Sequence, residues 1–383
     1  MKAKPGVPSL LRELNDSATL SHLIRVSTVT RAELASHTGL SKVTSAQALS
    51  RLEALGLVRV NGVRSGARGP AAEVYELMPA IGSAVGVAIH AESIRVELCG
   101  LDGVAVAKRE VALADDVVGA VHDAVAAVLA DGGEVAGPLL AAALATPGVV
   151  DPATGELAFS YDISNSESLR SRLEAVIGVP FVLGNDVHLA ALAERAEGAA
   201  VGEQDFVLLW IGRGLGMASV IEGKVRVGST GAAGEIGYLP VAGVPLPSRV
   251  DNVEQGPFQR LVGLQAVRDL AREDGAVGIP ERLSEPVVAE LGRRIALGVA
   301  AISTIQDPGL IVLTGETVEL AGDGLPDRVA LATSLVTPTH PRVVRSSLGV
   351  LGPVAGARLR AAEAAREAVL ARVAEDRDKT VTE

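Results

Sequence analysis

Residues 30–60 have the sequence TRAELASHTGLSKVTSAQALSRLEALGLVRV, which decides the fold of the N-terminal part of the chain. Thr30 and Glu33 have the spacing of a capping box, so a helix is predicted to begin here. Gly39 can adopt the left-handed backbone that ends such a helix. Ser41 is then placed to cap a second helix. A short helix, a turn containing glycine and a second helix are typical of the helix-turn-helix motif.

The second predicted helix extends to about Ala54, and in a helix-turn-helix its first residues enter the major groove of duplex DNA. Gln47 is suited to the edge of an adenine, and Lys42 is suited to a guanine or a phosphate. The residues that we expect to contact DNA, which include two arginines farther along the chain, are Ser41, Lys42, Thr44, Gln47, Arg64 and Arg68.

A basic hairpin is predicted to follow the two helices. Leu57–Val60 has the composition of a strand, Asn61-Gly62 predicts the turn of a hairpin, and residues 72–77 form the returning strand. The segment 64–70, RSGARGP, is a flexible basic tip suited to a minor groove or a phosphate. With a further helix at Ser9–Leu23, this order predicts a winged helix-turn-helix. The alternative is a small helical bundle whose hairpin contacts other proteins.

Charge is distributed unevenly along the chain. The 383 residues carry a net charge of −11, but residues 1–75 hold ten Lys or Arg against five Asp or Glu. The remainder therefore holds 25 basic against 41 acidic residues. A basic N-terminal part on an acidic body favours a polyanion as the partner of the N-terminal part. Chance clustering on a solvated face is the alternative.

Composition excludes several classes of protein. Aromatic residues make up only 2% of the chain, too few for the stacking platforms that bind single-stranded nucleic acid. No run of 18 apolar residues predicts a membrane span, and the first residues lack the apolar stretch of a signal peptide, so the cytoplasm is the expected location. Cys99 is the single cysteine, which excludes an internal disulfide and a cysteine cluster for zinc, and it is predicted to be a core residue.

The body has a pattern of strands and helices that occurs twice. Each half opens with a hairpin-type pair of strands and later crosses from a strand to a helix, which predicts two α/β lobes with a cleft between them. Ligands of such folds lie in the cleft at the strand ends. The predicted strands are 85–89, 94–98, 104–111, 140–145, 206–211, 217–221, 225–227 and 310–313, and the predicted helical stretches are 117–129 and 258–306.

Three segments carry a resemblance to a known family. They are Ala145–Gly148 (ATPG), Gly184–Ala191 (GNDVHLAA) and Gly231–Tyr238 (GAAGEIGY), in that order. Between Leu10 and Leu370 the chain resembles the ROK family, in which bacterial sugar kinases and sugar-responsive repressors share an actin-like fold. The winged helix in front of this body resembles the repressor branch.

The fold class that follows is α/β. An N-terminal winged helix-turn-helix precedes a duplicated, actin-like (ribonuclease H-like), two-lobed fold of the ATPase type. The expected segments are a DNA-binding domain at 1–80, a first α/β lobe at 81–200, a second α/β lobe at 201–373, and a disordered tail at 374–383.

The resemblance implies a set of sugar-binding residues. Asn185 and Asp186 match residues that bind sugar hydroxyls, and Asp186 matches the catalytic base of the kinases. From the residues alone, a carboxylate at a strand end can accept a hydroxyl proton, but Asp186 can equally cap the helix that follows. Glu235 matches a second sugar ligand, against the alternative of a solvated turn carboxylate. Tyr238 stands where relatives have a sugar-contacting histidine, and Glu254 is aligned within the run DNVE.

Other segments depart from the kinase pattern. Kinases of this family have Asp-x-Gly-Gly-Thr after the first strand, where this chain has AIHAE at 88–92, and Glu92 would repel a phosphate. The loop 212–216, GRGLG, has Arg213 where the family has threonine. We therefore expect no catalytic residue, no ATP-dependent phosphorylation and no cofactor. Because the segment 239–256 contains no cysteine or histidine, we also expect no zinc or other metal.

Three hypotheses follow. The first is a transcriptional regulator, a repressor of carbohydrate metabolism genes, that binds duplex DNA as a homodimer or homotetramer and a sugar in the interlobe cleft. The second is a sugar kinase with an appended DNA-binding domain, since Asp186 is retained. The third is a regulator that has lost sugar sensing, since Tyr238 and His188 depart from the family pattern. No membrane partner is expected.

Overall fold

The computed structural model describes residues 8–65, 71–78, 81–133, 137–160, 163, 167–247 and 256–381. Within these ranges no helix combines the length and the apolar composition that crossing a bilayer requires.

The N-terminal domain is a winged helix-turn-helix, as predicted. The capping box is present, because the Thr30 hydroxyl accepts a hydrogen bond from the Glu33 amide and the Glu33 carboxylate accepts one from the Thr30 amide. Gly39 is left-handed, and Ser41 caps the second helix of the motif. The strands form an antiparallel sheet of order β1-β3-β2. The elements are α1 (Pro8–Val26), β1 (Thr28–Thr30), α2 (Arg31–Thr38), α3 (Lys42–Ala54), β2 (Val58–Arg64) and β3 (Ala72–Leu77).

The hairpin turn predicted at Asn61-Gly62 is wrong. Both residues lie inside β2, where the pairing with β3 shifts register between Val60 and Val63. Gly62 has a φ of +83°, the left-handed backbone that a β-bulge requires as much as a tight turn does. Because β2 continues to Arg64, the connection to β3 falls on residues 65–71, of which 66–70 lie outside the described part of the chain.

The first lobe contains a five-stranded sheet of order β10-β7-β4-β5-β6. β4, β7 and β10 are parallel, whereas β5 and β6 continue the sheet as an antiparallel meander. Helices cover this sheet. The elements are β4 (Ser83–Ile89), β5 (Ser93–Gly100), β6 (Ala105–Ala112), α4 (Val117–Gly132), β7 (Leu139–Thr146), β8 (Val149–Val150), β9 (Leu157–Phe159), α5 (Leu169–Ile177), β10 (Phe181–Asn185) and α6 (Asp186–Glu197).

The second lobe repeats this topology, with a sheet of order β13-β12-β11-β14-β15. Again three antiparallel strands are followed by two strands parallel to the first, which confirms the duplicated α/β fold. The elements are β11 (Phe206–Ile211), β12 (Leu215–Ile221), β13 (Lys224–Val225), α7 (Pro257–Val262), α8 (Leu264–Glu273), α9 (Glu285–Gln306), β14 (Leu310–Thr314), α10 (Glu316–Ala321), α11 (Leu325–Ser334) and β15 (Arg342–Arg345).

The last helix, α12 (Gly352–Val381), returns to the first lobe. It packs on β4 and β7, and a Cβ atom on Gly86 would collide with the backbone nitrogen of Arg358, so only glycine allows the helix this close to the sheet. The second lobe therefore does not extend to residue 373 as expected. The tail expected at 374–383 is helical as far as Val381, because the run of Ala, Glu and Arg that favours a helix continues.

One apolar cluster joins the winged helix to α12. Leu20, Leu23 and Ile24 of α1 belong to the same cluster as Ala365 and Val369 of α12. The same cluster includes alanines of β4 and β7. The winged helix is thus packed on the first lobe through α12.

Candidate functional site

The first candidate site is the outer face of α3. Ser45, Ala48, Leu49 and Leu52 are buried on its inner face, and the outer face lines a shallow depression. Of the residues predicted to contact DNA, Lys42 and Gln47 are exposed on this outer face. The lining residues are Arg31, Lys42, Val43, Ala46, Gln47, Ser50 and Arg51.

Ser41 and Thr44 are held in the helix cap. The Ser41 hydroxyl accepts a hydrogen bond from the Thr44 amide at 3.1 Å, and the two hydroxyl oxygens lie 2.8 Å apart. Arg64 donates to Glu33 at 2.7 Å, which ties the end of β2 to α2. Arg68, the other predicted arginine, lies outside the described residues.

The second candidate site lies where β10 meets α6. Asn185 is the N-cap of α6: its Oδ1 accepts from the His188 amide at 3.0 Å, and its Nδ2 donates to the Gly148 carbonyl at 3.0 Å. Asp186 is the first helical residue rather than the cap, and its Oδ1 accepts from the Val187 amide at 2.8 Å. Both side chains are half-buried at the end of the strand.

A loop of the second lobe reaches this strand end. His188 Nε2 lies 3.1 Å from the Ala233 carbonyl oxygen, and burial lowers the pKa of His188, so the ring is neutral and donates Nε2–H at pH 7. A Cβ atom on Gly231 would collide with the Val150 carbonyl oxygen, so the backbones of the two lobes touch here. These contacts bring the 231–238 segment beside Asn185 and Asp186.

Glu235 and Tyr238 lie on this loop. Both are half-buried, and Tyr238 ends a short 3-10 helix that begins at Ile236. Burial raises the pKa of Glu235 above its ordinary value, because its ionised carboxylate is partly removed from water. Glu254, the remaining predicted sugar ligand, lies outside the described residues. The arrangement offers acids and amides from both lobes to a polar ligand.

The loops that would hold phosphates have a different environment. The amide of His90 donates to the Ser93 carbonyl at 2.8 Å, which closes the turn between β4 and β5. Burial and then the charge of Arg95 lower the pKa of His90 to about 4, so this ring is uncharged at pH 7. In the second loop, a Cβ atom on Gly212 would collide with Oε2 of Glu316, so a carboxylate lies against the glycine backbone.

The part of the chain that the structure describes contains no group of three or more His, Cys, Asp or Glu placed to hold a metal ion. Cys99 is buried, and its burial raises the pKa of the thiol to about 12, as expected for a core residue. The sequence did not predict two features of these sites. One is the exposure of Val43 on the outer face of α3, and the other is the hydrogen bond from His188 to the other lobe.

A family model described as the ROK family matches residues 84–257. These residues form a ROK family domain. The ROK domain contains the Asn185, Asp186 and Glu235 site, whereas the winged helix precedes the matched residues.

Over most of its length the chain is similar to a regulator. It is 22% identical over 344 residues to the DNA-binding transcriptional dual regulator NagC of Escherichia coli, covering 83% of this chain and 84% of that protein. A solved ROK family transcriptional regulator, a homolog of the E. coli MLC protein, has a TM-score of 0.73 at 19% identity and covers 95% of this chain and 99% of that chain. The two therefore share a fold.

Other relatives match a smaller part of the chain. The Streptomyces coelicolor glucokinase is 29% identical over 218 residues, covering 55% of this chain and 67% of that enzyme. An uncharacterized Clostridium perfringens protein is 30% identical over 180 residues, covering 45% of this chain, and the match spans only 60% of that protein's length.

Proposed function

We propose that the chain is a DNA-binding transcriptional regulator, a repressor of carbohydrate metabolism genes, controlled by a sugar or sugar derivative in the interlobe cleft. The observation that carries the proposal is a winged helix with an exposed outer α3 face, packed on a ROK domain. The similarity to NagC covers 83% of this chain and 84% of that protein, which supports the same combination of activities.

The DNA site consists of the outer face of α3 and the β2–β3 wing. Lys42 and Gln47 face the major groove, Ser41 and Thr44 fix the start of the helix, and Arg64 contributes from the end of β2. Arg68, outside the described residues, is a further proposed contact. A homodimer or homotetramer presents two such helices to a palindromic operator. Binding to an operator also places the protein in the cytoplasm with the chromosome.

The sugar site joins the two lobes. Asn185 and Asp186 come from the first lobe and Glu235 and Tyr238 from the second, with Glu254 as a further ligand. Carboxylates and amides of this kind bind sugar hydroxyls through several hydrogen bonds at once. A sugar that contacts both sides favours a closed cleft over an open one, since it gains interactions only when the lobes approach.

A continuous path of contacts leads from this site to the DNA-binding domain. α6 begins at Asp186 and packs on α12, where a Cβ atom on Gly356 would collide with the Leu189 carbonyl oxygen. α12 then shares an apolar cluster with α1. Closure of the cleft moves α6 against α12 and thereby changes the relative placement of the two winged helices of a dimer, which weakens operator binding.

The experiment that tests this function is a gel shift with the DNA upstream of the chain's own gene, at fixed salt. Salt is fixed because phosphate contacts make the affinity fall steeply with ionic strength. We expect a specific complex that one sugar of a panel of glucose, N-acetylglucosamine and their 6-phosphates releases, with operator affinity reduced about 5- to 150-fold.

Two outcomes contradict parts of the proposal. Specific binding that no sugar changes favours a regulator without sugar sensing, and thermal unfolding then shows no stabilisation by any sugar. Binding that does not exceed that of a scrambled duplex of equal length contradicts the DNA-binding function itself.

Ionisation of Glu235 makes the stability of the folded protein depend on pH. Because the folded state raises the pKa of this carboxyl, wild-type stability falls as pH rises from about 4.5 through the folded pKa. Glu235→Gln removes this ionisation, so the variant is expected to gain stability relative to wild type at pH 7 and to lose that advantage at pH 4. Urea unfolding of both proteins at several pH values measures this. Parallel pH profiles would contradict a buried carboxyl.

The second candidate function is a sugar kinase, favoured by the retained Asp186 and the similarity to a glucokinase. Three features oppose binding of the phosphates of ATP. The turn at His90 is closed by a hydrogen bond, the His90 ring is uncharged, and the Glu316 carboxylate lies against Gly212. We expect no sugar phosphate above background with Mg-ATP and glucose or N-acetylglucosamine, measured beside an active glucokinase. Turnover proportional to protein concentration would restore the kinase hypothesis.

A further inference from the structure

The outer face of α3 has an apolar centre. Val43 is 67% exposed, although the helix buries Ser45, Ala48 and Leu49 on the opposite side. At 100° per residue, Val43 points directly away from this inner face, and Gln47 follows it one turn later. An exposed valine is ordinary by itself, so its meaning depends on the groups around it.

The surroundings of Val43 combine an apolar floor with a charged rim. Val43 and Ala46 share the depression with Lys42 and Gln47. The side chains of Lys42 and Gln47 make no hydrogen bond within the described part of the chain. Arg31 and Arg51 also line the rim, where Arg31 pairs with Glu73 at 2.9 Å and Arg51 pairs with Asp16. Among the described residues of this lining, Lys42 is therefore the cation without an ion pair. A basic rim is complementary to phosphates. The unpaired amide of Gln47 beside the methyl groups of Val43 is complementary to a base edge that has both polar and apolar groups.

Such an edge exists in the major groove. Among the groups that base pairs present there, the C5-methyl of thymine is the apolar one, and adenine N6 and N7 pair with a glutamine amide. We propose that Val43 is a specificity-determining residue that packs on a thymine methyl group, while Gln47 hydrogen-bonds an adenine nearby. This inference rests on the proposed DNA-binding function and assigns the base-reading step to a residue that carries no polar group.

The test begins with duplexes selected from a random library by the full-length protein. Each thymine of the best duplex is then replaced in turn by uracil, which removes the methyl group and preserves the base pair. We expect one or two positions in each half-site where the replacement lowers affinity about fourfold, the factor that burial of one methyl-sized group supplies. Replacements elsewhere leave the affinity unchanged.

The variant Val43→Ala assigns the effect to the side chain. At the sensitive positions its ratio of thymine to uracil affinity is expected to fall below about twofold. Alanine has a higher helix propensity than valine, so α3 keeps its structure, which the thermal unfolding midpoint verifies. The matched control is Val176→Ala, which changes another exposed helical valine, in α5 (50% exposed), and is expected to retain the fourfold ratio.

The outcomes separate the inference from the function on which it rests. If selection yields a specific duplex but uracil binds like thymine at every position, or if Val43→Ala keeps the full ratio, the inference is wrong and DNA binding stands. Discrimination lost only in Lys42→Ala would assign the reading to a polar contact and also overturn it. If no duplex binds above the non-specific level, both are overturned.

Discussion

Arg358→Ala is expected to lower the free energy of unfolding by about 3–5 kcal/mol. Arg358 is buried in α12, where Nε donates to Glu97 Oε2 at 2.8 Å and a terminal nitrogen donates to Glu197. Glu97 is itself buried, and its other ion-pair partner is Lys108, whose side chain is largely exposed. Without the guanidinium, the buried Glu97 carboxylate keeps only the largely exposed Lys108 as its partner. Removing one partner of a buried pair in this way is strongly destabilising.

The same helix provides the control. Arg360 lies two residues later and pairs with Glu363 at 2.7 Å on the exposed side of α12. Arg360→Ala is expected to cost no more than about 0.5 kcal/mol, because exposed pairs one turn apart contribute little. Urea unfolding of the full chain compares the two variants. Equal losses of unfolding free energy in the two variants would show that the buried network does not stabilise the fold. Arg358→Lys should give an intermediate loss, since lysine cannot bridge two carboxylates as a guanidinium does.

This network matters for function because α12 contacts three parts of the molecule. Its first turns lie against α6, its centre packs on the sheet of the first lobe, and its later turns share a cluster with α1. A helix with these neighbours can transmit a change at the proposed sugar site only while it remains docked. Variants that weaken the docking of α12 should therefore reduce sugar control of DNA binding more than either binding reaction alone.

Local signals in the sequence were sufficient for the N-terminal domain. The capping box at Thr30, the left-handed Gly39 and the Ser41 cap each act within four residues, and the structure confirms all three. In the body, the repeated strand pattern predicted the duplication for a similar reason, because an antiparallel pair is formed by neighbouring segments of the chain.

Local sequence signals could not predict the contacts between segments that are far apart in the chain. Nothing near Gly352 indicates that α12 docks on the first lobe, since the decisive feature is the space left by Gly86, far away in sequence. The Asn61-Gly62 pair was misjudged because a tight turn and a bulge both need a left-handed residue. The choice between them depends on whether Val63 finds a partner in β3, which it does in Glu73.

The candidate sites were predicted in part. Asn185, Asp186 and Glu235 were found through the family resemblance, and the structure places their segments together through the His188 contact with Ala233. Val43 was missed because apolar residues in a helix are normally assigned to its buried face. Only the spacing relative to Leu49 and Leu52, read as angles around α3, indicates that Val43 faces outward.

Asp186→Asn is expected to produce a regulator that binds its operator normally and responds poorly to sugar. An amide keeps an oxygen that can accept from the Val187 amide, so α6 is preserved, but it loses the charge that strengthens hydrogen bonds to sugar hydroxyls. Hydrogen bonds to charged groups contribute about 1.5–3 kcal/mol, so sugar affinity should fall roughly 10- to 100-fold. Operator affinity without sugar should stay within about twofold of wild type, since Asp186 lies outside the winged helix.

Titrating the operator complex with the sugar that releases wild type measures this effect. Asp116→Asn is the matched control, because Asp116 is the N-cap of α4, is exposed and makes no side-chain capping bond. Release of the Asp186→Asn complex at the wild-type sugar concentration would contradict a sugar-binding role. At saturating sugar we expect full release, because Glu235, the proposed ligand from the second lobe, is unchanged. Binding and release are linked through the same proposed closure. A variant that binds sugar but never releases DNA would instead place the coupling itself at Asp186.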